Sequence, residues 1–296
     1  MSNRNFVLSC CSTVDLSAQR LEERDIRYAC FHYFLDGVEY ADDLGKTITM
    51  SDFYTKMANG ADTKTAQINT AEYIEFFEPI LNEGNDLLHV SLSSGLSGTS
   101  NSARIAIEEL SEKYPDRKIM LVDSLGASSG YGLFVEEIAD MRDNGATIEE
   151  AYEWAMANRL NIHHWFFSTD LTFYIKGGRV SKISGWFGTA LKICPLLNMN
   201  HEGKLIPREK IRTKQRVIKA IVDKMVLCAK DGENYSGRCY ISNSACIEDA
   251  EAVKALVEEK FKKIKGVEIF DIGTVIGSHT GPGTVALFFE GNERIN

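Results

Sequence analysis

The fold class is read first from the segment Leu87-Leu88-His89-Val90-Ser91-Leu92-Ser93-Ser94-Gly95-Leu96-Ser97-Gly98-Thr99. Its first six residues are almost continuously apolar, which is typical of a parallel strand that is covered on both faces. The Ser/Gly-rich residues 93–99 follow, and a helix is predicted over residues 100–114, where Pro115 ends it. A strand, a polar turn and a helix in this order predict one unit of an α/β domain with a largely parallel sheet.

The same alternation continues on both sides of this segment. Residues 6–9 and 119–122 are predicted strands, and a helix is predicted over residues 128–144. Two capping boxes, Asn69-Thr70-Ala71-Glu72 and Thr147-Ile148-Glu149-Glu150, predict helices that begin there. Beyond residues 160–165 the strands and helices mix without this alternation, so we predict a second domain of the α+β class.

The charge of the chain is uneven. The 296 residues carry 33 Lys+Arg and 42 Asp+Glu, a net charge of −9, which argues against a nucleic-acid-binding protein. Residues 1–160 carry 13 basic and 27 acidic side chains, a net of −14, and residues 161–296 carry 20 and 15, a net of +5. Either the two halves have different solvated surfaces, or the second half meets an anion or an acidic partner.

The chain has no predicted membrane span. Its most apolar stretch, residues 190–197, is far shorter than the roughly 20 residues that a span needs. The apolar run at the N-terminus ends by Cys11 and is interpreted as a strand and not as a signal sequence. The seven cysteines form no C-x-x-C pair and the histidines have no metal-site spacing. We therefore expect a cytoplasmic protein with reduced thiols, no metal and no cofactor.

The Ser/Gly-rich residues 93–99 are the first candidate site. Ligands of open α/β sheets bind at the carboxyl ends of the strands, where this segment lies. Free N–H groups at the helix start, together with the hydroxyls of Ser94, Ser97 and Thr99, suit a carboxylate or a phosphate. The alternative is that Ser97 or Thr99 simply caps the helix.

Three other segments carry candidate residues. In residues 175–181, two glycines between cations would allow the close approach of a ligand, or form an ordinary turn. In residues 276–283, His279 is predicted to lie exposed in a glycine-rich loop. A basic run is predicted to form a solvated helix face or to meet an acidic partner or a phosphate. It consists of Arg208, Lys210, Arg212, Lys214, Arg216 and Lys219.

A hydrolase is an alternative interpretation. Residues 126–130 match G-x-S-x-G between a strand and a helix, which is the context of a serine nucleophile. A triad could then consist of Ser128, Asp170 or Asp271, and His279. However, the predicted strand ends near Val122, several residues before Ser128, which disfavours the sharp turn that such a nucleophile needs.

Taken in order, six segments resemble motifs of the DegV family of bacterial fatty-acid-binding proteins, over nearly the whole chain. They are Ser12-Thr13-Val14-Asp15-Leu16, Thr65-Ala66-Gln67, Ser94-Gly95-Leu96-Ser97-Gly98-Thr99, Val122-Asp123-Ser124, Gly177-Gly178-Arg179-Val180-Ser181 and His279-Thr280-Gly281-Pro282-Gly283. The chain departs from the family pattern at Cys11, Ala66 and Ile68, where the family usually has Asp, Ser and Pro.

This resemblance implies a Rossmann-like N-terminal domain over residues 1–162 and an α+β domain over residues 163–296. It implies a long-chain fatty acid as ligand, and a separate ATP-dependent fatty acid kinase that makes acyl-phosphate for phospholipid synthesis. The family's handover residues correspond here to Arg179 and Arg212, with His279. The resemblance also implies a set of ligand-binding residues, Thr65, Ser94, Ser97, Gly98, Thr99, His279 and Thr280. The alternatives are a serine esterase or lipase that uses Ser128, and a lipid-binding regulator without a kinase partner.

Overall fold

The structure is a computed structural model that describes residues 4–180 and 193–294. Within these ranges the chain forms strands that assemble into three sheets, with helices between them. The strands are β1 (Val7–Cys11), β2 (Ile26–Ala29), β3 (His32–Leu35), β4 (Val38–Ala41), β5 (Thr63–Ala66), β6 (Leu87–Ser91), β7 (Ile119–Asp123), β8 (Ile162–Ser168), β9 (Ile193–Met199), β10 (Leu205–Arg212), β11 (Arg238–Asn243), β12 (Gly266–Asp271) and β13 (Thr284–Glu290). The helices are α1 (Ala18–Glu23), α2 (Met50–Ala58), α3 (Thr70–Asn82), α4 (Thr99–Lys113), α5 (Ser128–Asp143), α6 (Ile148–Asn158), α7 (Thr172–Gly177), α8 (Lys214–Cys228), α9 (Ile247–Lys260) and α10 (Thr274–Thr280).

The first sheet is the parallel sheet predicted from residues 87–92. Its strand order is β2-β1-β6-β7, and every neighbouring pair is parallel. All five residues of β6 are buried, as expected for a strand that is covered by helices on both faces. Both capping boxes are present, with Asn69 capping α3 and Thr147 capping α6. The parallel-sheet N-terminal domain is therefore confirmed.

A small antiparallel sheet, in the order β4-β3-β5, lies in the same half and was not predicted. Its strands are four residues long and carry mixed polar and aromatic side chains, which give no clear period. Tyr33 of β3 stacks on Tyr40 and contacts the edge of Phe53, and these ring contacts cover one face of the sheet. This sheet matters for the site because β5 carries Thr65.

The second half is built on a six-stranded sheet in the order β10-β9-β8-β13-β11-β12. All neighbours are antiparallel except β11 and β12, so this is the α+β domain that was expected. Side chains alternate between the two faces: Phe166 and Phe288 pack toward the first half, whereas Phe167 and Leu287 pack on the core that includes α8 and α9. The first strand of this half, β8, begins at Ile162. The exact boundary between the two domains, set at residues 162 and 163, stays a prediction.

Two predictions about local structure are wrong. Residues 208–212 belong to β10, an eight-residue strand, so half of the basic run lies on a strand and not on a helix. The predicted glycine-rich loop at residues 276–283 is in large part the helix α10. Glycine disfavours a helix, but tertiary packing overrides this preference here. The helix packs so closely on α2 that a β-carbon at Gly277 would collide with Tyr54.

None of the helices in residues 4–180 and 193–294 combines the length and the apolar character that crossing a bilayer requires. Residues 190–192 of the apolar stretch considered above lie outside the described residues.

A buried carboxylate joins the two halves. The side chain of Glu136 on α5 is fully buried, and its Oε1 lies 2.6 Å from Arg20 Nε of α1. Its other oxygen accepts a hydrogen bond from the hydroxyl of Tyr240 on β11. Such a carboxylate is stable in the interior only while its partners remain, so Glu136 ties α1 and α5 to the six-stranded sheet.

We expect Glu136→Gln to lower the free energy of unfolding by about 3 kcal/mol, because the variant leaves Arg20 without its closest carboxylate. Urea unfolding followed by circular dichroism would measure this loss. The control is Glu75→Gln, at an exposed position of α3, which should change the value by less than about 0.5 kcal/mol. Equal stability of the two variants would contradict the role assigned to Glu136.

Candidate functional site

A cavity of about 410 Å³ lies where the two halves meet. Its walls include residues that follow the parallel strands β2, β6 and β7, among them Phe31, Leu96 and Ala127. The opposite wall is the face of the six-stranded sheet that carries Phe166 and Phe288. The cavity therefore opens at the carboxyl ends of a parallel sheet, which is where ligands bind in folds of this kind.

Most of the cavity wall is apolar. The apolar side chains come from both halves, and they include Leu92, Phe166, Met199, Leu205, Ala286 and Phe288. His164 is part of the same region, since its ring contacts the Phe288 ring edge-on at 5.1 Å. Burial lowers the pKa of His164 well below its usual range, so this ring is neutral at pH 7. The region suits a long hydrocarbon chain.

A second group of side chains, which we call the polar wall, consists of Thr65, Gln67, Ser97, Arg179 and His279. Thr65 Oγ1 and His279 Nε2 are 2.7 Å apart, so β5 of the first half and α10 of the second half meet here. Burial, together with the nearby charge of Arg179, lowers the pKa of His279 to about 4. The imidazole is therefore neutral at pH 7.

The surroundings of His279 favour one tautomer. Its Nδ1 is buried, with no hydrogen-bond partner among the described residues. An unpaired lone pair there costs less than an unpaired N–H, which places the proton on Nε2. Nε2 then donates to Thr65 Oγ1, and the hydroxyl proton of Thr65 is free to point at a ligand. The expectation that His279 is exposed in a loop is wrong, because the residue belongs to α10 and its ring is partly buried against Thr65.

The Ser/Gly-rich segment forms the neighbouring part of the polar wall. Ser97 Oγ lies 3.4 Å from Gln67 Oε1 and accepts a hydrogen bond of 3.2 Å from the Thr99 amide. A β-carbon at Gly98 would lie 2.8 Å from Gln67 Oε1, so the glycine lets the Gln67 amide approach the start of α4 closely. The sequence alone gives no signal for Gln67 as a site residue, because its position beside Ser97 depends on the pairing of β5, which it directly follows.

The other residues proposed from the sequence lie in different places. Arg179 and Thr280 line the cavity, and Arg179 is exposed to solvent. Ser94 is exposed and does not line the cavity, and its amide donates to Asp123 Oδ1. Thr99 is fully buried behind the polar wall, and Arg212 is exposed at the end of β10. Ser181 lies outside the described residues.

Ser128 lines the cavity, and among the described residues no histidine is hydrogen-bonded to its hydroxyl. Its Oγ is 2.5 Å from Asp15 Oδ2 and 3.1 Å from Ser242 Oγ. His279 Nε2 is bonded to Thr65, so the described residues do not form the serine–histidine pair that a hydrolase needs. Burial raises the pKa of the Asp15 carboxyl well above its usual range.

Comparison with known proteins identifies the family. Residues 11–292 match the family model described as "Uncharacterised protein, DegV family". The DegV domain-containing protein CPE0026 of Clostridium perfringens is 35% identical over 291 residues, which cover 98% of this chain and 99% of that protein.

Two solved structures are similar over almost their whole length. The protein TM841 of Thermotoga maritima, described as having a fatty acid binding function, is 26% identical with a TM-score of 0.83, over 97% of this chain and 99% of that one. The Streptococcus pneumoniae Fatty Acid Kinase (Fak) B3 protein, loaded with linoleic acid, is 20% identical with a TM-score of 0.83, over 97% and 100%. At that identity the second likeness concerns the fold alone. On the family match and the 35% identity, the chain belongs to the DegV family.

Proposed function

We propose that this protein binds a long-chain fatty acid in the cavity and presents its carboxylate to an ATP-dependent kinase, which forms acyl-phosphate for phospholipid synthesis. The observation that carries the proposal is an apolar cavity whose polar wall contains a hydrogen-bonded Thr65–His279 pair. In this proposal the protein is a cytoplasmic carrier and the phosphoryl transfer belongs to the kinase.

The hydrocarbon tail supplies the affinity. Burying an acyl chain of about 15 methylenes is worth roughly 12 kcal/mol before association costs, at about 0.8 kcal/mol for each methylene. The apolar wall receives the tail with side chains from both halves, such as Leu92 and Phe288. Binding of the tail would therefore also strengthen the contact between the two domains.

The carboxylate needs hydrogen-bond donors, because burial of an unpaired charge is costly. The Thr65 hydroxyl supplies one donor when His279 Nε2 donates to its oxygen. Ser97 accepts from the Thr99 amide, and its own proton can turn from Gln67 to a ligand oxygen. The neutral imidazole of His279 orients Thr65 without neutralising the carboxylate, which stays nucleophilic.

Transfer of a phosphoryl group to the carboxylate would bring a second anion to the site. Arg179 is exposed and lies at the cavity beside His279, so its guanidinium is placed to stabilise the incoming phosphate. Arg212 is an exposed member of the basic run on β10 and the start of α8. This run accounts for much of the net charge of +5 in residues 161–296, and we assign it to the face where the kinase docks.

Native mass spectrometry of the gently purified protein tests the first step. We expect a mass increase equal to one long-chain fatty acid, and extraction with organic solvent should release that acid for identification. Protein that is free of lipid, and that does not take up added long-chain fatty acid, would contradict the proposal. Formation of acyl-phosphate with a fatty acid kinase and ATP then separates a carrier from a lipid-binding regulator.

A further inference from the structure

Behind the polar wall runs a chain of buried polar side chains that the proposed function does not use. Ser9 Oγ is 2.8 Å from His89 Nδ1, and His89 Nε2 is 3.8 Å from Cys11 Sγ. Cys11 Sγ lies 3.4 Å from the hydroxyl of Tyr73, which is 2.8 Å from Thr99 Oγ1. All five residues have no exposed surface, so the chain connects the centre of the parallel sheet to the first residue of α4.

Thr99 connects this chain to the polar wall. Its hydroxyl faces Tyr73, and its backbone amide donates to Ser97 Oγ, which lines the cavity. The N-cap residue of α4 is Gly98, which has no side chain to cap the helix. Ser97 Oγ accepts from the Thr99 amide at this end of the helix, and the hydrogen bond between the Tyr73 and Thr99 hydroxyls fixes the Thr99 side chain in the first turn of α4.

Burial makes this arrangement stiff. A hydroxyl without a partner in the interior costs about 1–3 kcal/mol, so neither Tyr73 nor Thr99 can rotate away from the other cheaply. Burial also keeps the pKa of the Cys11 thiol raised and lowers that of His89 to about 3, so both groups are neutral at pH 7. A neutral network places no charge near the ligand and acts through geometry alone.

We propose that Tyr73 is a positioning residue: through Thr99 it holds Ser97 in the orientation that receives the carboxylate of a bound fatty acid. The inference rests on the proposed function, since it concerns the same polar wall. The positioning role predicts different effects on the two parts of the ligand, the carboxylate and the hydrocarbon chain. Loss of the Tyr73 hydroxyl should weaken recognition of a carboxylate and leave the burial of the hydrocarbon chain unchanged.

The test compares hexadecanoic acid with hexadecan-1-ol by isothermal titration calorimetry. For Tyr73→Phe we expect about fivefold weaker binding of the acid, which corresponds to one hydrogen bond, and a change of less than about twofold for the alcohol. Thr99→Val removes the other hydroxyl and should give the same result. The double variant should be no worse than either single variant, because both remove one shared interaction.

The control is Tyr235→Phe, a buried tyrosine of the second half whose hydroxyl is hydrogen-bonded to backbone atoms and does not line the cavity. It should lower stability without changing the ratio of acid to alcohol affinity. If Tyr73→Phe and Thr99→Val leave the ratio of acid to alcohol affinity unchanged, whether both affinities fall equally or neither falls, the positioning role is overturned. The proposed function would stay intact. A wild-type protein that binds neither ligand would overturn the proposed function itself.

Discussion

His279→Ala is expected to support acyl-phosphate formation about 100-fold more slowly than the wild type, while it still binds fatty acid. The ring orients Thr65 and lies beside Arg179, so its loss disturbs the carboxylate at the position where the phosphoryl group arrives. The tail carries most of the affinity and does not depend on this ring. The measurements are the initial rate with a fatty acid kinase and ATP, and the dissociation constant for hexadecanoic acid.

Arg212→Ala should follow the same pattern, because this exposed cation does not line the cavity and cannot affect the packing of the tail. The control is His32→Ala, a histidine of the small antiparallel sheet that pairs with Glu39 and Glu72 outside the cavity. It should leave both measurements near the wild-type values. Equal loss of binding and of phosphorylation in His279→Ala would show that His279 serves binding alone.

Ala286→Phe is expected to weaken binding of hexadecanoic acid by about 100-fold. Ala286 lies on the face of β13 that lines the cavity, next to residues that contact the tail region. An added phenyl ring would displace roughly three to four methylenes at about 0.8 kcal/mol each, which is about 3 kcal/mol or two powers of ten in affinity. A shorter acid such as decanoic acid needs less of the cavity and should lose much less affinity.

The comparison of chain lengths separates a filled cavity from a damaged fold. Thermal unfolding of Ala286→Phe is measured beside the titrations. Val38→Phe, which adds an aromatic ring at a position that is 54% exposed, controls for added apolar bulk. If decanoic and hexadecanoic acid lose affinity equally while the melting temperature is unchanged, the apolar wall is not the tail site.

The parallel sheet was predictable because its signals are local. The apolar run of β6 and the capping boxes at Asn69 and Thr147 are each patterns of a few consecutive residues. The candidate segments around Ser97 and His279 were also visible as Ser/Gly-rich or glycine-rich stretches. The strand β10 was not predicted over residues 208–212, since Arg208, Lys210 and Arg212 were interpreted as part of one charged helix face with the basic residues that follow them.

The parts that were missed depend on distant contacts. The helix α10 contains Gly277, and the packing of this glycine on Tyr54 cannot be predicted from a sequence in which the two residues are more than 200 positions apart. Ser97 lines the cavity, whereas Thr99, two residues later, is buried behind it. This difference follows from the direction of the chain at the start of α4. No pattern in the sequence indicates that the Thr99 hydroxyl points to Tyr73 and not to the cavity.

A crystal structure of the protein with hexadecanoic acid tests the central claim most directly. The proposal predicts the carboxylate within hydrogen-bond distance of Thr65 Oγ1 and Ser97 Oγ, beside His279. It predicts the hydrocarbon chain against the face of the six-stranded sheet that carries Phe166 and Phe288, inside the cavity of about 410 Å³. A carboxylate that points away from the polar wall, or an acid bound outside this cavity, would contradict it.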